Sequence, residues 1–253
     1  MVRRVAEVYR ETRKRHDQLW NTYVMRPLAA VVVAAVAPTR VTPNQLTITS
    51  FVSFAVATGL LCAATTMPAT VVAIGVVELS YLFDCADGML ARHKKLASQQ
   101  GHLFDFFTDE SKAVMLVGGM AVHLWRNGGL GITAQSWPPG HPGFLLGGVA
   151  AVAVVASAIS LTNFVRRPEI SGRETPVEAH YEATGEGPKQ TSSARRLAGQ
   201  VMTFLRFLNH YPSHIWLFAV VGRLDVFFWL YASLNALYLA RGWLGLILRF
   251  GRS

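Results

Sequence analysis

Long apolar runs recur along the chain, separated by short segments that collect most of the polar and charged residues. A run of roughly 20 residues is long enough to cross about 30 Å of hydrocarbon as an α-helix. The pattern therefore predicts an all-α integral membrane protein. We expect six transmembrane helices, at residues 45–64, 70–92, 103–125, 143–165, 201–222 and 224–248, around a polar cavity that opens to the cytoplasm.

The first 40 residues follow a different pattern. The apolar run 27–37 stops at Pro38 and is too short to cross a membrane, because it would form only about 16 Å of helix. The preceding segment, 3–15, is strongly basic and has Tyr9 and Trp20 nearby. This combination predicts an interfacial amphipathic helix on an anionic membrane surface, with a solvated basic tail as the alternative. We therefore divide the chain into N-terminal helices at 1–40 and a transmembrane domain at 41–253.

Lysine and arginine are distributed unequally between the two sides of this predicted bundle. One side carries twenty of them, and the other carries only Arg126 and Arg223. The positive-inside rule places the basic side, and with it both termini, in the cytoplasm. The segment 166–198 is rich in Gly, Pro, Ser and charge, so it is predicted to be a partly mobile cytoplasmic loop near the site. The expected location is the cell membrane, as a multi-pass protein.

Composition excludes several other classes. Charged residues make up 15% of the chain, hydrophobic residues 51%, and the mean hydropathy is +0.30. A soluble domain has about 25% charged residues, and a disordered chain has low hydrophobicity. The two cysteines lie in apolar runs, which excludes a disulfide scaffold. A net charge of +9 suggests nucleic-acid binding in a soluble protein. Here the charge follows the membrane topology, so no nucleic-acid partner is expected.

Four aspartates lie inside the predicted spans, where ionisable groups are costly and usually functional. They are Asp84 and Asp87 at the end of the second span, and Asp105 and Asp109 at the start of the third. At about 100° per residue, each pair shares one face of its helix with small or basic residues. These companions are Gly88, Ala91, Arg92 and Gly101. A short connection joins the two helices, so the carboxylates are predicted to face each other.

Four carboxylates at close range repel one another strongly in a low-dielectric site, so cations are needed to hold them there. Ligation by oxygen alone favours a hard ion such as Mg²⁺ or Mn²⁺. Two divalent ions would balance the four negative charges and could bind a pyrophosphate. The alternative interpretation is that the acids solvate a helix end and pair with Arg92, Lys94 and Lys95.

The spacing of these residues resembles the signature of the CDP-alcohol phosphatidyltransferase family. It reads Asp84-x-x-Asp87-Gly88-x-x-Ala91-Arg92, then eight residues, then Gly101-x-x-x-Asp105-x-x-x-Asp109. Before the first span, Thr42-Pro43-Asn44 is similar to a segment that many members carry. The resemblance extends over residues 41–109 by motif and over the remaining spans by topology.

The resemblance implies transfer of a phosphatidyl group from a CDP-alcohol, with CDP-diacylglycerol as the expected donor, to the hydroxyl of a small polar acceptor. CMP is released, and the product belongs to phospholipid biosynthesis. The resemblance also implies a metal site and a nucleotide site and favours a homodimer. Asp84, Asp87, Asp105 and Asp109 would bind two divalent cations, with Asp109 also as general base, and Gly88, Ala91, Arg92, Gly101 and Asn44 would contact the nucleotide.

The acceptor remains open among glycerol 3-phosphate, inositol, inositol phosphate and serine. A phosphorylated acceptor would need further cations, for which Lys112, Arg166 and Arg167 are candidates. The Lys-x-Lys-Thr pattern typical of glycerol-phosphate members is missing from the sequence. One alternative is a soluble donor such as CDP-inositol or CDP-choline. Another, from a different class, is a cation transporter with an intramembrane acidic site. No role is assigned to Glu78.

Overall fold

Helices make up nearly all of the chain described by the computed structural model, which covers residues 2–12, 17–171, 204 and 207–251. The N-terminal part contains α1 (Val2–Thr12), a π-helical segment (Asn21–Met25) and α2 (Arg26–Val36). The long helices are α3 (Pro43–Ala63), α4 (Met67–His93), α5 (Gln99–Asn127), α6 (Pro142–Arg166) and α9 (Leu224–Phe250). Shorter elements are α7 (Pro168–Ser171), a 3₁₀ turn (Tyr211–Ser213), α8 (Ile215–Val220) and an antiparallel pair of strands, β1 (Gly129–Leu130) and β2 (Ser136–Trp137).

Capping residues fix where the helices around the motif begin. At the start of α3, Thr42 Oγ1 accepts a hydrogen bond from the Gln45 amide (3.3 Å), and Gln45 Oε1 accepts one from the Thr42 amide (3.0 Å). Ser98 Oγ caps α5 by accepting a hydrogen bond from the Gly101 amide at 3.1 Å. Between α4 and α5, Lys95 adopts a positive φ of 56°. The chain therefore reverses within a short turn, which brings the end of α4 close to the start of α5.

The two helices that carry the acidic residues, α4 and α5, are held together mainly by a third helix, α3. α3 packs along both α4 and α5, whereas backbone contact between α4 and α5 is sparse. Ser50 on α3 and Ser80 on α4 are both fully buried, and each hydroxyl donates to the other's carbonyl oxygen at 2.8 Å. Such small polar residues join helices in apolar surroundings. Consequently α3 is the scaffold of the motif, and the acidic faces of α4 and α5 meet through their side chains.

Buried apolar side chains form two clusters. The larger one joins α3, α4, α5, α6, α8 and α9, with fully buried aromatic residues at Phe54, Phe144 and Phe227. The smaller one packs α1 and α2 against the half of α4 that carries the motif, and includes Val8 and Met89. The N-terminal helices are therefore packed against the transmembrane domain beside the candidate site. Their predicted position on a membrane surface stays a prediction.

Three of the described helices are long and apolar enough to cross a membrane, namely α3, α4 and α6. They coincide with the first, second and fourth predicted spans, which confirms the all-α membrane class. The third and sixth predicted spans are continuous helices as α5 and α9, but they are not among these three. The total of six spans stays a prediction.

The fifth predicted span, 201–222, is wrong as a single helix. In its described part the helix stops before His210, a 3₁₀ turn occupies Tyr211–Ser213, and α8 begins at Ile215. Pro212 explains the break, because proline has no amide proton to donate and its ring clashes with the preceding helical turn. Residues 172–198 of the predicted loop 166–198 lie outside the described residues, whereas α6 ends at Arg166 and α7 follows it.

Asp17 anchors the segment between α1 and α2. Its carboxylate accepts hydrogen bonds from Arg26 Nε, Asn21 Nδ2 and the Gln18 amide, each at 2.9 Å. Asn21 Oδ1 in turn accepts a hydrogen bond from the Tyr81 hydroxyl of α4 at 2.7 Å. Burial by itself raises the pKa of the Asp17 carboxyl, but the Arg26 charge and these hydrogen bonds outweigh it and hold that pKa below its ordinary value of 3.8.

This lowered pKa predicts a pH-dependent effect of Asp17→Asn on stability. A carboxyl with a depressed pKa in the folded state stabilises the protein above its unfolded pKa, and this contribution is lost as the pH falls through the folded value. We expect Asp17→Asn to unfold at a lower temperature than the wild type at pH 7, and the difference to shrink below about pH 4. Thermal unfolding in detergent across pH 3 to 7 measures this, and a difference independent of pH would contradict it.

Candidate functional site

Three of the four motif aspartates form a compact group between α4 and α5. Asp84, Asp105 and Asp109 each offer a carboxylate oxygen, and these oxygens all lie within 4.8 Å of one another. The Asp84 side chain is 14% exposed and that of Asp109 is 49% exposed, so the group extends from the bundle interior toward its surface. The predicted meeting of the two acidic helix faces is therefore present in the structure.

Asp87 takes a different position from the other three. It is 4% exposed, and its Oδ2 accepts a hydrogen bond from the Thr47 hydroxyl of α3 at 2.5 Å. It does not belong to the group whose oxygens lie within 4.8 Å, although its charge is close enough to those of Asp105 and Asp84 to repel them. The sequence treated all four acids alike, whereas the structure ties Asp87 to the scaffold helix.

Lys112 lies beneath the acidic group. The residue is 1% exposed, and its ammonium donates to Oδ1 of Asp84 and, at 3.1 Å, to Oδ1 of Asp109. The sequence suggested that Lys112 contacts a phosphorylated acceptor. The contacts in the structure are with two of the motif acids. A direct role in acceptor binding stays a prediction.

The residues predicted to contact the nucleotide come together in two pairs. A Cβ added to Gly88 would lie 3.5 Å from Nη1 of Arg92, so the guanidinium lies over this glycine. A Cβ added to Gly101 would lie 3.4 Å from Oδ1 of Asn44, so the starts of α3 and α5 are close together. Ala91 is half-buried on α4 next to Arg92. The two glycines thus let the Arg92 guanidinium and the Asn44 amide lie close to the helix backbone, and both of these groups can bind phosphate or a base.

The two candidate acceptor residues on α6 lie in different environments. The Arg166 guanidinium stacks over the Phe106 ring at 4.6 Å, directly next to Asp105 in sequence. Arg167 is exposed at the C-terminal cap of α6. One turn earlier, Asn163 Nδ2 donates to both carboxylate oxygens of Glu110, at 3.1 and 3.2 Å. The end of α6 therefore lies beside the acidic part of α5, and Arg166 is the better placed of the two arginines.

Sequence reasoning missed two polar positions near the site. Thr47 and Ser50 on α3 lie one turn apart inside an apolar span, and both contact α4 near the motif. Small hydroxyl residues within a span are a recognisable signal of bonds between helices. Glu78, for which no role was assigned, has a buried carboxylate that interacts weakly with the Trp20 side chain of the N-terminal part. Nothing among the described residues gives it a function.

The donor set of the acidic group fits a hard divalent cation. All of its candidate ligand atoms are carboxylate oxygens, which Mg²⁺ and Mn²⁺ prefer, and neither histidine nor cysteine contributes. Three carboxylates within 4.8 Å of one another also repel strongly unless positive charge lies between or beside them. The group can therefore hold cations, with Asp105 and Asp109 supplied by α5 and Asp84 by α4.

An apolar helical bundle with an oxygen-only acidic group at facing helix ends defines a membrane protein with a polar site suited to phosphate chemistry. The family model for CDP-alcohol phosphatidyltransferase matches residues 40–184, which is more than half of the 253 residues. The chain belongs to this family, whose members transfer substituted phosphate groups, and the resemblance seen in the motif is confirmed. The match contains every predicted metal, nucleotide and acceptor residue. None of the curated proteins compared with the chain matches it.

Proposed function

We propose that this enzyme transfers a phosphatidyl group from CDP-diacylglycerol to a hydroxyl of a small polar acceptor and releases CMP, as a step of phospholipid biosynthesis. The observation that carries the proposal is the approach of Asp84, Asp105 and Asp109 within 4.8 Å of one another at the facing ends of two helices. A lipid-linked donor fits this setting, because acyl chains partition among apolar helices while the nucleotide stays polar. Family membership favours this function over cation transport.

The proposed site binds two divalent cations, Mg²⁺ or Mn²⁺. Asp84, Asp105 and Asp109 would hold them, and Asp87 would contribute through its charge or its second oxygen. Bound cations of this kind neutralise charge on the pyrophosphate and stabilise the charge that develops on transfer. The chain's own residues would orient the reactants: Gly88 lets the Arg92 guanidinium lie close to the helix, and this planar group suits a phosphate oxygen pair.

Asp109 is the proposed general base. It is the most exposed of the three grouped acids, with 49% of its side chain accessible, so an acceptor can approach it. Its carboxylate would take the proton of the acceptor hydroxyl as the oxygen forms a bond to the β-phosphorus of the donor. The bond from that phosphorus to the CMP oxygen breaks, and CMP leaves with the bonding electron pair. The product carries the new phosphodiester.

A phosphorylated acceptor would place its phosphate beside Arg166, which lies over Phe106 next to Asp105. The double variant Arg166→Gln/Arg167→Gln is expected to raise the acceptor KM about tenfold and leave the donor KM unchanged, because charged hydrogen bonds to the acceptor phosphate are lost. Arg40→Gln, an exposed arginine before α3, is the matched control and should change neither constant. An unchanged acceptor KM in the double variant would remove both arginines from the acceptor site.

The proposed reaction is tested by CMP release from the purified protein in detergent. The assay contains CDP-diacylglycerol, Mg²⁺ or Mn²⁺, and each of glycerol 3-phosphate, inositol, inositol phosphate and serine. Release with one acceptor only identifies the reaction and its product. If no acceptor gives CMP release with CDP-diacylglycerol but CMP is released from CDP-inositol or CDP-choline, the donor is a soluble CDP-alcohol instead. Absence of CMP release with every donor, from protein shown to be folded, would contradict the proposed function.

Assembly and orientation complete the proposal. We expect a homodimer in the cell membrane, with both termini and the active site on the cytoplasmic side, as the distribution of lysine and arginine predicts. Labelling of the single variants Arg40→Cys and Arg126→Cys in intact and opened cells tests this orientation, because only the cysteine at position 126 should react in intact cells. The native residues Cys62 and Cys85 would first be replaced to remove background labelling.

A further inference from the structure

Lys112 is the fully buried cation that contacts the acidic group in the described structure. We propose that Lys112 is a positioning residue, whose ammonium ties Asp84 of α4 to Asp109 of α5 and compensates their charge in the cation-free protein. The identity of these acids as metal ligands rests on the proposed function. The link between the two helices rests on the described contacts alone.

The contacts of Lys112 join the two halves of the motif. Asp109 lies one turn before it on the same helix, whereas Asp84 lies on the helix that precedes it. Backbone contact between α4 and α5 is sparse, and α3 packs against both. A side chain that bonds acids on both helices therefore fixes the distance between them at the place where the chemistry requires it.

The geometry also keeps ligand atoms available. Lys112 bonds the Oδ1 atom of each carboxylate, so its own hydrogen bonds do not occupy the Oδ2 atoms of Asp84 and Asp109. A buried ammonium is strongly disfavoured unless it is paired, and here it has two carboxylate partners. Because the residue is 1% exposed and lies beneath the acids, it is better placed to orient them than to bind an acceptor.

Thermal unfolding of the full-length protein in detergent with EDTA tests the inference. Lys112→Met keeps the length and volume of the side chain but removes its charge, so the two acids lose their shared partner. We expect the unfolding midpoint to fall by about 8 °C. Adding Asp109→Asn to this variant removes one of the repelling charges and should recover at least about half of the loss. Asp109→Asn in the wild-type background completes the cycle.

Leu116→Ala is the matched control, because Leu116 is 1% exposed and lies one turn further along α5. Its midpoint should fall by a similar amount, about 8 °C, but Asp109→Asn should recover none of it. A Lys112→Met variant with a wild-type midpoint, or a loss that Asp109→Asn does not recover, would overturn the inference. If Lys112→Met cannot be purified, folding of the double variant supports the inference, and failure of both overturns it.

Mn²⁺ separates this inference from the proposed function. In Lys112→Met, added Mn²⁺ should raise the midpoint by more than it does in the wild type, because the cation replaces the missing positive charge; equal shifts would overturn the charge-compensating role. In Leu116→Ala the Mn²⁺ shift should match that of the wild type. A wild type that gains no stability from Mn²⁺ would contradict the proposed metal site, while the cycle in EDTA would still decide the role of Lys112.

Discussion

Removal of divalent cations with EDTA is expected to abolish CMP release by the wild-type protein, and excess Mg²⁺ or Mn²⁺ to restore it. The reason is electrostatic. Asp84, Asp105 and Asp109 lie within 4.8 Å of one another, and the donor brings a negatively charged pyrophosphate to the same place. Without cations, like charges would oppose both substrate binding and the transition state. CMP release is measured before chelation, in EDTA, and after the cation is added back.

The control for chelation is a measurement that the protein stays folded in EDTA. A thermal unfolding curve of the protein in EDTA should still show a cooperative transition, because Lys112 compensates part of the acidic charge and α3 holds both motif helices. If EDTA abolishes both activity and the unfolding transition, the protein has been destabilised, and the result gives no support to a catalytic role of the cation. Full activity in EDTA, at a chelator concentration that removes added Mn²⁺, would contradict the proposed metal site.

The sequence predicted the parts of the structure that depend on local pattern. Apolar runs located α3, α4 and α6, because hydrophobic length is what a bilayer selects. Helical periodicity placed Asp84, Asp105 and Asp109 on faces that do meet, since angles of about 100° per residue are fixed by backbone hydrogen bonding. The family followed from the same residues, because the motif fixes both identity and spacing.

Other features depend on how helices pack, which no local pattern specifies. The sequence treated Asp87 as one of four equal acids, but it lies outside the group of three and accepts a hydrogen bond from Thr47 of α3. It also predicted only that the carboxylates of α4 and α5 face each other, and gave no sign that α3 packs against both helices. Pro212 is visible in the sequence, but the mean hydropathy of residues 201–222 is still high, so the pattern predicted one continuous span instead of a break. Residues from distant elements determine the first two of these features, whereas the break is a local effect of Pro212.

Asp109→Asn is expected to reduce kcat at least about a thousandfold, because it removes a metal-binding charge and the proposed general base in a single substitution. The change is nearly isosteric, so the fold should be retained. Asp109 is also the most exposed of the three grouped carboxylates, which favours the approach of an acceptor hydroxyl in the proposed reaction. Turnover is measured as CMP release at saturating donor and acceptor, so that a change in binding is not mistaken for a change in chemistry.

Glu110→Gln is the matched control for this loss. Glu110 is the next carboxylate along α5, but its two oxygens accept hydrogen bonds from Asn163 on α6, outside the group formed by Asp84, Asp105 and Asp109. Neutralising it changes the net charge of the helix by the same amount, so its kcat should stay within about threefold of the wild type. Equal losses in the two variants would indicate a general charge effect of α5. Near-normal turnover in Asp109→Asn would refute its assignment as ligand and base, and would direct attention to Asp84 and Asp105.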